Sequence, residues 1–155
     1  MPARNTSSPR RRGAATVEFA VVIPVLLMFV LGIIEIGRVV MVAQVNTNAA
    51  REAARYAAQG EADAAAVDAY TRSYLSSAGI SNAGAGTGSA VTVTLETPSA
   101  DGATWVATAN PSALPSGRPI RVTVSANFNQ QSWLPSRFFV GDNAQVQGVA
   151  VMRKE

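Results

Sequence analysis

The sequence predicts an α+β fold. It comprises a long N-terminal helix, half transmembrane and half extracytoplasmic, a second short helix, and a small antiparallel sheet of three to four strands packed on the helical part. Residues 13–34 are almost wholly apolar, residues 46–59 carry alanines at helical spacing, and three later stretches alternate apolar and polar residues. The chain has 155 residues, which leaves about 90 to fold in water.

Composition excludes several classes of function. The chain contains no cysteine and no histidine, which removes thiol chemistry, the commonest metal ligand and the commonest general base. Its acidic residues are scattered, and its glycine-rich run lacks the lysine of a phosphate-binding loop. We therefore expect no catalytic residue, no metal, no cofactor and no small-molecule substrate.

The positive net charge of +3 comes from the N-terminus. Arg4, Arg10, Arg11 and Arg12 precede Gly13 in a leader without acids, and the rest of the chain holds nine basic residues against ten acidic ones. A nucleic-acid interface needs clustered basic residues on one face. We expect no nucleic acid among the partners.

A helix over residues 13–34 is about 30 Å long, the thickness of the hydrocarbon core of a bilayer. Its apolar residues surround the helix, as is typical of a helix in lipid. Because positive residues stay on the cytoplasmic side, the N-terminus is expected in the cytoplasm and the C-terminal part outside it. The residues predicted to mark the two membrane boundaries are Arg10, Arg11, Arg12, Glu35 and Arg38.

A cleaved secretory signal peptide is the main alternative for this segment. Its apolar core would span roughly 7–15 residues and end at a small-residue cleavage site. Here the apolar run is longer, contains Pro24, and continues past Glu35 into further helix-forming sequence. A twin-arginine signal fits less well, because Gly13 and Ala14 follow the arginines at once. We therefore favour a membrane helix that is retained.

Glu18 lies inside the apolar run, about 7–8 Å along the helix from Gly13. An unpaired carboxylate in hydrocarbon costs several kcal/mol, so an acid at this position is a candidate for function. The leader arginines offer one partner, by extending their side chains toward it. Cleavage after Gly13 offers another, because Ala14 would gain a free amine one helical turn from Glu18 of its own chain or near that of a neighbour.

The basic leader, Gly13, Glu18 followed by Phe19, and the apolar run resemble the class III signal of type IV pilin-like proteins. More narrowly, residues 11–59 resemble the TadE-like family of Tad/Flp pilus assembly. That family has a glycine and a Val-Glu-Phe before an apolar run with an internal proline, here Pro24. Its run ends in Glu-x-Gly-Arg, here residues 35–38.

The resemblance implies a structural role. A prepilin peptidase would cleave between Gly13 and Ala14, and the mature chain would be a minor pilin or pseudopilin assembled through Glu18, Phe19 and Pro24. Phe19, where the much shorter major Flp pilins carry tyrosine, points away from the main filament subunit. The implied partners are the prepilin peptidase, other Tad pilus components and pilins, and membrane lipid. The implied location is the inner (cytoplasmic) membrane, single-pass, with pilus association.

An uncleaved single-pass envelope protein remains the alternative. Its small extracytoplasmic domain would bind protein or a surface. The same domain organisation serves both readings: a basic leader at 1–13, a transmembrane helix at 14–45, an extracytoplasmic helical region at 46–80, a flexible linker at 81–89 and a small antiparallel β region at 90–155. Pro24 is expected to kink the helix or to melt one turn.

The extracytoplasmic helices follow from their spacing. Six alanines form a shallow stripe that lets a sheet come close, and Gly60 ends that helix. A second helix is predicted over residues 62–77, closed by Gly79. The alanines are Ala49, Ala50, Ala53, Ala54, Ala57 and Ala58, and the residues expected on one side of the second helix are Val67, Tyr70, Tyr74 and Ala78.

The strands follow from a period of two. The clearest strand runs through residues 119–128, another through 91–97 and a third through 145–152, where Val149 and Val151 are in phase. A shorter strand is expected at 104–108. Antiparallel strands with one apolar face would bury it on the alanine stripe. Trp133, Phe138 and Phe139 lie around Pro135 and either cap the core or form a contact patch for another protein.

Overall fold

A computed structural model describes residues 10–60, 62–80, 82–84, 89–132 and 144–155. The chain divides into two compact units, residues 1–36 and 37–155. Helix α1 spans Arg10–Ala58 and α2 spans Ala64–Ser77. The strands are β1 Val91–Pro98, β2 Trp105–Ala107, β3 Pro119–Asn127 and β4 Gln145–Arg153, with short 3-10 helices at Pro111–Ala113 and Phe128–Gln130. The α+β prediction is confirmed.

The four strands form one antiparallel sheet in the order β2-β1-β3-β4. On its inner face, Val93 of β1 lies opposite Val124 of β3, which lies opposite Gly148 of β4. The side chains of β3 alternate between buried and half-buried along the whole strand. This alternation is the predicted pattern of a strand with one face against the core.

The alanine stripe of α1 belongs to the core of the second unit. All six of its alanines are buried, together with Val42 two turns before them. Because alanine ends at Cβ, this surface lets a helix lie close to a sheet without leaving gaps. The other buried apolar side chains of that core include Val67, Leu75, Val91, Leu95, Ile120, Val122, Val124 and Phe128.

The tightest approach between helix and sheet occurs at Gly148. A Cβ at this position would fall far inside van der Waals contact with the backbone of Asn46 and Thr47. The buried Asn46 side chain donates from Nδ2 to the carbonyl oxygen of Val146 at 2.8 Å. Glycine is therefore required at position 148 because the backbones of α1 and β4 nearly touch.

Two predictions about side-chain direction need correction. Helix α2 buries Val67, Thr71 and Leu75, whereas Tyr70, predicted to share a side with Val67, is exposed. Tyr70 instead stacks on Tyr56 of α1, with ring centroids 4.7 Å apart. Residues three and four positions apart lie on one face of a helix. In α2 the buried residues follow one another at a spacing of four, so Thr71 is buried after Val67 and Tyr70 is not.

The predicted valine pair of β4 lies on the open face of the sheet. Val149 and Val151 are 51% and 52% exposed, while Gly148 is buried and Val146 and Ala150 are half-buried. The inner phase of β4 carries small residues because α1 leaves no room for larger ones. The expectation that each strand buries its most apolar phase is therefore wrong for β4.

The ends of the helices use side chains as well as glycine. Asp63 precedes α2 and accepts a hydrogen bond from the backbone N–H of Ala66 at 2.7 Å, an N-cap. Gly60 and Gly79 follow the two helices with φ of 85° and 84°, as their positions predicted. Arg72 forms an ion pair with Asp68. Its guanidinium also donates to the carbonyl oxygens of Ala83, Gly84 and Val91 and to Oγ of Ser89. These hydrogen bonds contact residues at both ends of the predicted linker.

Replacing Gly148 with alanine tests the close approach of α1 and β4. The added methyl group meets backbone atoms that cannot rotate away, so we expect a loss near the upper end of roughly 1–3 kcal/mol in the free energy of unfolding. Denaturant unfolding of the full chain in detergent measures it. Gly84→Ala is the control, because no atom lies within 4 Å of its Cβ position and its φ is not positive. Equal stability of the two variants would contradict the packing described above.

Candidate functional site on the N-terminal helix

The part of α1 from residue 13 to residue 34 presents its apolar side chains outward. Every residue in it is exposed except Ile23 and Gly32, which are half-buried. By length and composition, α1 from Gly13 to Ala58 is the one described helix that could cross a membrane. A core helix of a soluble protein would pass the same test, but such a helix is mostly buried. This surface suits lipid or other helices.

The residues predicted to act in assembly share this helix. Glu18 is the only charged residue between positions 14 and 34, and it follows Ala14 by four positions. Helical geometry therefore places the two on one face, with about 5–6 Å between their Cβ atoms. Glu18 and Phe19 are exposed, Phe19 by 65%. The structure brings Ala14 and Glu18 to one face, as their spacing predicted.

The predicted cleavage site lies within regular secondary structure. Helix α1 begins at Arg10, so the peptide bond between Gly13 and Ala14 is helical. No atom lies within 4 Å of the position that a Cβ on Gly13 would occupy. The side chains of Arg10, Arg11 and Arg12 lie outside the described residues. The site is sterically open, although its backbone is folded.

Pro24 does not interrupt α1. The helix is continuous from Arg10 to Ala58 with this proline inside it, so the melted turn expected as one possibility is not present. Proline removes one N–H from the hydrogen-bond ladder. The regular turns on both sides preserve the helix around that single lost bond. Pro24 itself is exposed.

The predicted boundary residues Glu35 and Arg38 are less exposed than the helix before them. Glu35 is 1% exposed and Arg38 is half-buried. The guanidinium of Arg38 donates to the backbone carbonyl oxygen of Gln131, itself a buried residue. Their assignment as a membrane boundary stays a prediction. The possible contact patch of Trp133, Phe138 and Phe139 lies outside the described residues.

A polar network joins α1 to α2 beyond this segment. Arg55 donates to both carboxylate oxygens of Glu52, at 3.2 and 2.6 Å, and the Tyr70 hydroxyl donates to Oε1 at 2.9 Å. These hydrogen bonds, that of Arg55 first, lower the pKa of Glu52. The same carboxylate raises the pKa of Tyr70 by accepting its proton in a hydrogen bond. The network stabilises the ionised form of Glu52 where the two helices meet.

No group of acidic side chains in the described ranges is placed to hold a metal ion. Three residues that hold the second unit together were not predicted from the sequence: Asn46, Gly148 and Arg72. Asn46 stands three positions, about one helical turn, before a conspicuous helical stripe, and Gly148 interrupts a strand that contains three valines. An isolated glycine inside a strand is a known sign of close backbone approach, so Gly148 carried a usable signal. No sequence pattern predicts the hydrogen bonds of Arg72 with residues 83–91.

The network around Glu52 predicts a pH dependence of stability. Since the pKa of Glu52 is lowered by folding, its contribution is present above the ordinary carboxylate pKa of about 4.3 and is lost as pH falls through the folded-state value. We expect Glu52→Gln to lower the free energy of unfolding by about 0.5 kcal/mol at pH 7, a small effect because the pair is partly exposed. Denaturant unfolding at pH 7 and pH 3 should show a smaller difference at pH 3 than at pH 7. Arg51→Gln, an exposed charge beside it, should show no such loss; a pH-independent effect of Glu52→Gln would argue against the network.

Comparison with known proteins gives a match in the first third of the chain. A family model described as TadE-like protein matches residues 13–55. No significant match was found among curated proteins or among solved structures. The matched segment contains the exposed apolar helix, Glu18 and Pro24, and ends within the alanine stripe. Residues 13–55 are therefore a TadE-like segment, as their motifs predicted, and they indicate a Tad pilus-associated protein.

Proposed function

We propose that this chain is a structural component of Tad/Flp pilus biogenesis, a TadE-like minor pilin or pseudopilin. A prepilin peptidase cleaves it after Gly13, and the mature chain assembles through its N-terminal helix. The observation that carries the proposal is a helix exposed on nearly all sides over residues 13–34 with Glu18 as its single charge after the leader. The TadE-like match over the same residues supports it.

The energetics of Glu18 support assembly by pairing. In lipid, an unpaired carboxylate at this depth is costly, and no basic residue lies within one turn of it between positions 14 and 22. Cleavage would create a positive amine on Ala14, and two opposite charges neutralise each other most effectively in a low dielectric. A mature helix entering an assembly would offer its amine to Glu18 of its neighbour. This pairing would fix the axial offset between neighbouring helices, because the Ala14 amine of one helix must lie beside the Glu18 carboxylate of the next.

The helical state of the cleavage site is compatible with processing. Residues 10–13 form the first turn of α1, whose N–H groups have no partner within the helix. Such terminal turns open at a small cost in free energy. The peptidase therefore needs to unwind the end of the helix and not its middle. Gly13, with open space around it, lets an enzyme approach the backbone.

The membrane location belongs to the same proposal. Residues 14–34 lie in the inner membrane with the arginine-rich leader in the cytoplasm and the second unit, residues 37–155, outside it. The partners would be the prepilin peptidase, other Tad pilus proteins and membrane lipid.

Processing is tested by the mass of the N-terminus. Co-expression with an active prepilin peptidase should yield a chain that starts at Ala14, and Gly13→Val should leave the chain uncut because a branched side chain hinders access to the scissile bond. Gly37→Val is the matched control, since both glycines lie in α1 with no atom near their Cβ positions. An intact wild-type N-terminus beside an active peptidase would favour the alternative, an uncleaved single-pass envelope protein whose outer domain binds protein or a surface.

The role of Glu18 is tested by Glu18→Gln, which keeps the shape of the side chain and removes its charge. We expect cleavage to continue and incorporation into pilus assemblies to fall about tenfold or more, equivalent to at least ~1.4 kcal/mol of lost pairing. Val22→Ala, an exposed position one turn further along, serves as the control. Immunoblotting of sheared pili and membrane fractions measures incorporation. If Glu18→Gln and Val22→Ala assemble equally well, the pairing role is wrong.

A further inference from the structure

The outer edge of β4 carries unpaired backbone groups. Strand β4 pairs with β3 over nine residues in an unbroken register, and no described strand pairs with its other edge. The hydrogen bonds Phe128 N–H to Ala144 O and Lys154 N–H to Arg118 O, both 2.9 Å, lie in the same register at its two ends. Because hydrogen-bonded pairs alternate in antiparallel sheets, the odd-numbered residues from 145 to 153 direct their N–H and C=O groups away from β3.

This edge lacks the usual protection against further pairing. Natural edge strands are short, charged, bulged or interrupted by proline. Strand β4 is nine residues long, has no proline and no bulge, and carries no charge before Arg153. Its outward-facing residues include Val149 and Val151, both about half exposed. The edge can therefore accept another strand along most of its length.

The opposite edge of the sheet is formed by β2 and offers the complementary groups. Thr108 N–H donates to Leu95 O and Ser99 N–H donates to Thr104 O, at 3.0 and 2.8 Å. By the same alternation, the backbone groups of Trp105 and Ala107 point away from β1. The side chain of Trp105 lies on the open face of the sheet, where the Arg121 guanidinium stacks on its ring at 4.4 Å. Each copy of the chain thus has two sheet edges that no described strand pairs.

The direction of α1 decides which edges of two copies can meet. Asn46 of α1 bonds Val146 near the start of β4, and Ala58 at the end of α1 accepts a hydrogen bond from the N–H of Glu155. The segment 46–58 therefore runs in the same direction as β4. An antiparallel pair of two β4 strands would point the α1 segments of the two copies in opposite directions. Copies that leave one bilayer through α1 point the same way.

A head-to-tail junction satisfies this requirement. In an antiparallel sheet of four strands the two edge strands run in opposite directions, so β2 of one copy can pair antiparallel with β4 of the next without turning either α1 around. With Trp105 opposite Val149 of the next copy, an aromatic and a β-branched side chain meet on the open face. The edges then match in direction and in apolar contact.

We propose that the partner of the β4 edge is the β2 edge of a second copy of this chain, so that the sheets of neighbouring copies join head to tail. The junction repeats at every copy, which is how heterologous interfaces build rings or open filaments. The inference deepens the proposed function and rests on its membrane-anchored α1. It does not require cleavage after Gly13.

Disulfide crosslinking in lipid vesicles tests the junction, because the natural chain has no cysteine. In the proposed register Ala107 faces Gln147 of the next copy, and hydrogen-bonded antiparallel pairs have Cα atoms about 5.5 Å apart, within disulfide range. Oxidation of the full-length double variant Ala107→Cys, Gln147→Cys should give a ladder of dimers, trimers and larger species. Mixing the two single variants should give dimers only. The control Ala107→Cys, Thr92→Cys, whose second thiol sits on the open face of a central strand, should give no ladder.

A ladder from the control pair would overturn the junction, because it would show crosslinking by random collision. Dimers from Gln147→Cys alone, at the yield of the mixed single variants, would also overturn it, because they would show that β4 pairs with β4 of another copy. An absent ladder overturns it as well, provided that the double variant melts like the wild type. Val149→Lys should remove most of the ladder and Thr94→Lys should not.

The test also separates this inference from the proposed function. The ladder is measured a second time on chains that carry Gly13→Val. A ladder from the uncut Gly13→Val chain shows that the junction forms without cleavage. A ladder from a wild-type chain that stays uncut beside an active peptidase leaves the junction standing and removes the processing claim. Cleavage of the wild-type chain without a ladder does the reverse.

Discussion

The near-contact between the backbones of α1 and β4 is the constraint on which the second unit depends. It requires glycine at position 148, and it lets the side chain of Asn46 reach the carbonyl oxygen of Val146. The alanine stripe extends the same close fit along residues 49–58. A bulkier residue at any of these positions would lift the helix from the sheet and open the core. The close packing of α1 on the sheet therefore depends on small side chains, whereas most cores are filled by large ones.

One helix meets two opposite demands along its length. Over residues 13–34 its large side chains face outward on all sides, whereas over residues 46–58 it buries the smallest side chains available. The change falls near Glu35 and Arg38, where exposure drops and the guanidinium of Arg38 donates to the carbonyl oxygen of Gln131. Charge follows the same division, because Glu18 alone interrupts the outward-facing part. The TadE-like match, residues 13–55, includes both parts of the helix.

Sequence patterns predicted those features that depend on local period. The alanine stripe, the strand phase of β1 and β3, and the shared face of Ala14 and Glu18 all follow from a repeat of 3.6 or 2 residues. Features set by distant contacts were not predictable in this way. Tyr70 is exposed and stacks on Tyr56, a contact that the spacing of α2 does not predict, and the valines of β4 face outward because α1 occupies the other side of the sheet. The helical state of Gly13 depends on where α1 begins, and the apolar pattern that starts at Gly13 does not predict a start at Arg10.

The contact between α1 and β4 also orders events in time. Asn46 and Val146 are 100 residues apart, and Ala58 is bonded to Glu155, so the second unit joins an early segment to a late one. Until residues 145–155 have been made and have arrived, the alanine stripe has only part of its covering and Gly148 is absent. Folds that join distant segments pay loop-closure entropy first and form slowly. During synthesis, α1 is thus complete long before the strand that fastens it, and the chain is held by its helix while the sheet is still being assembled.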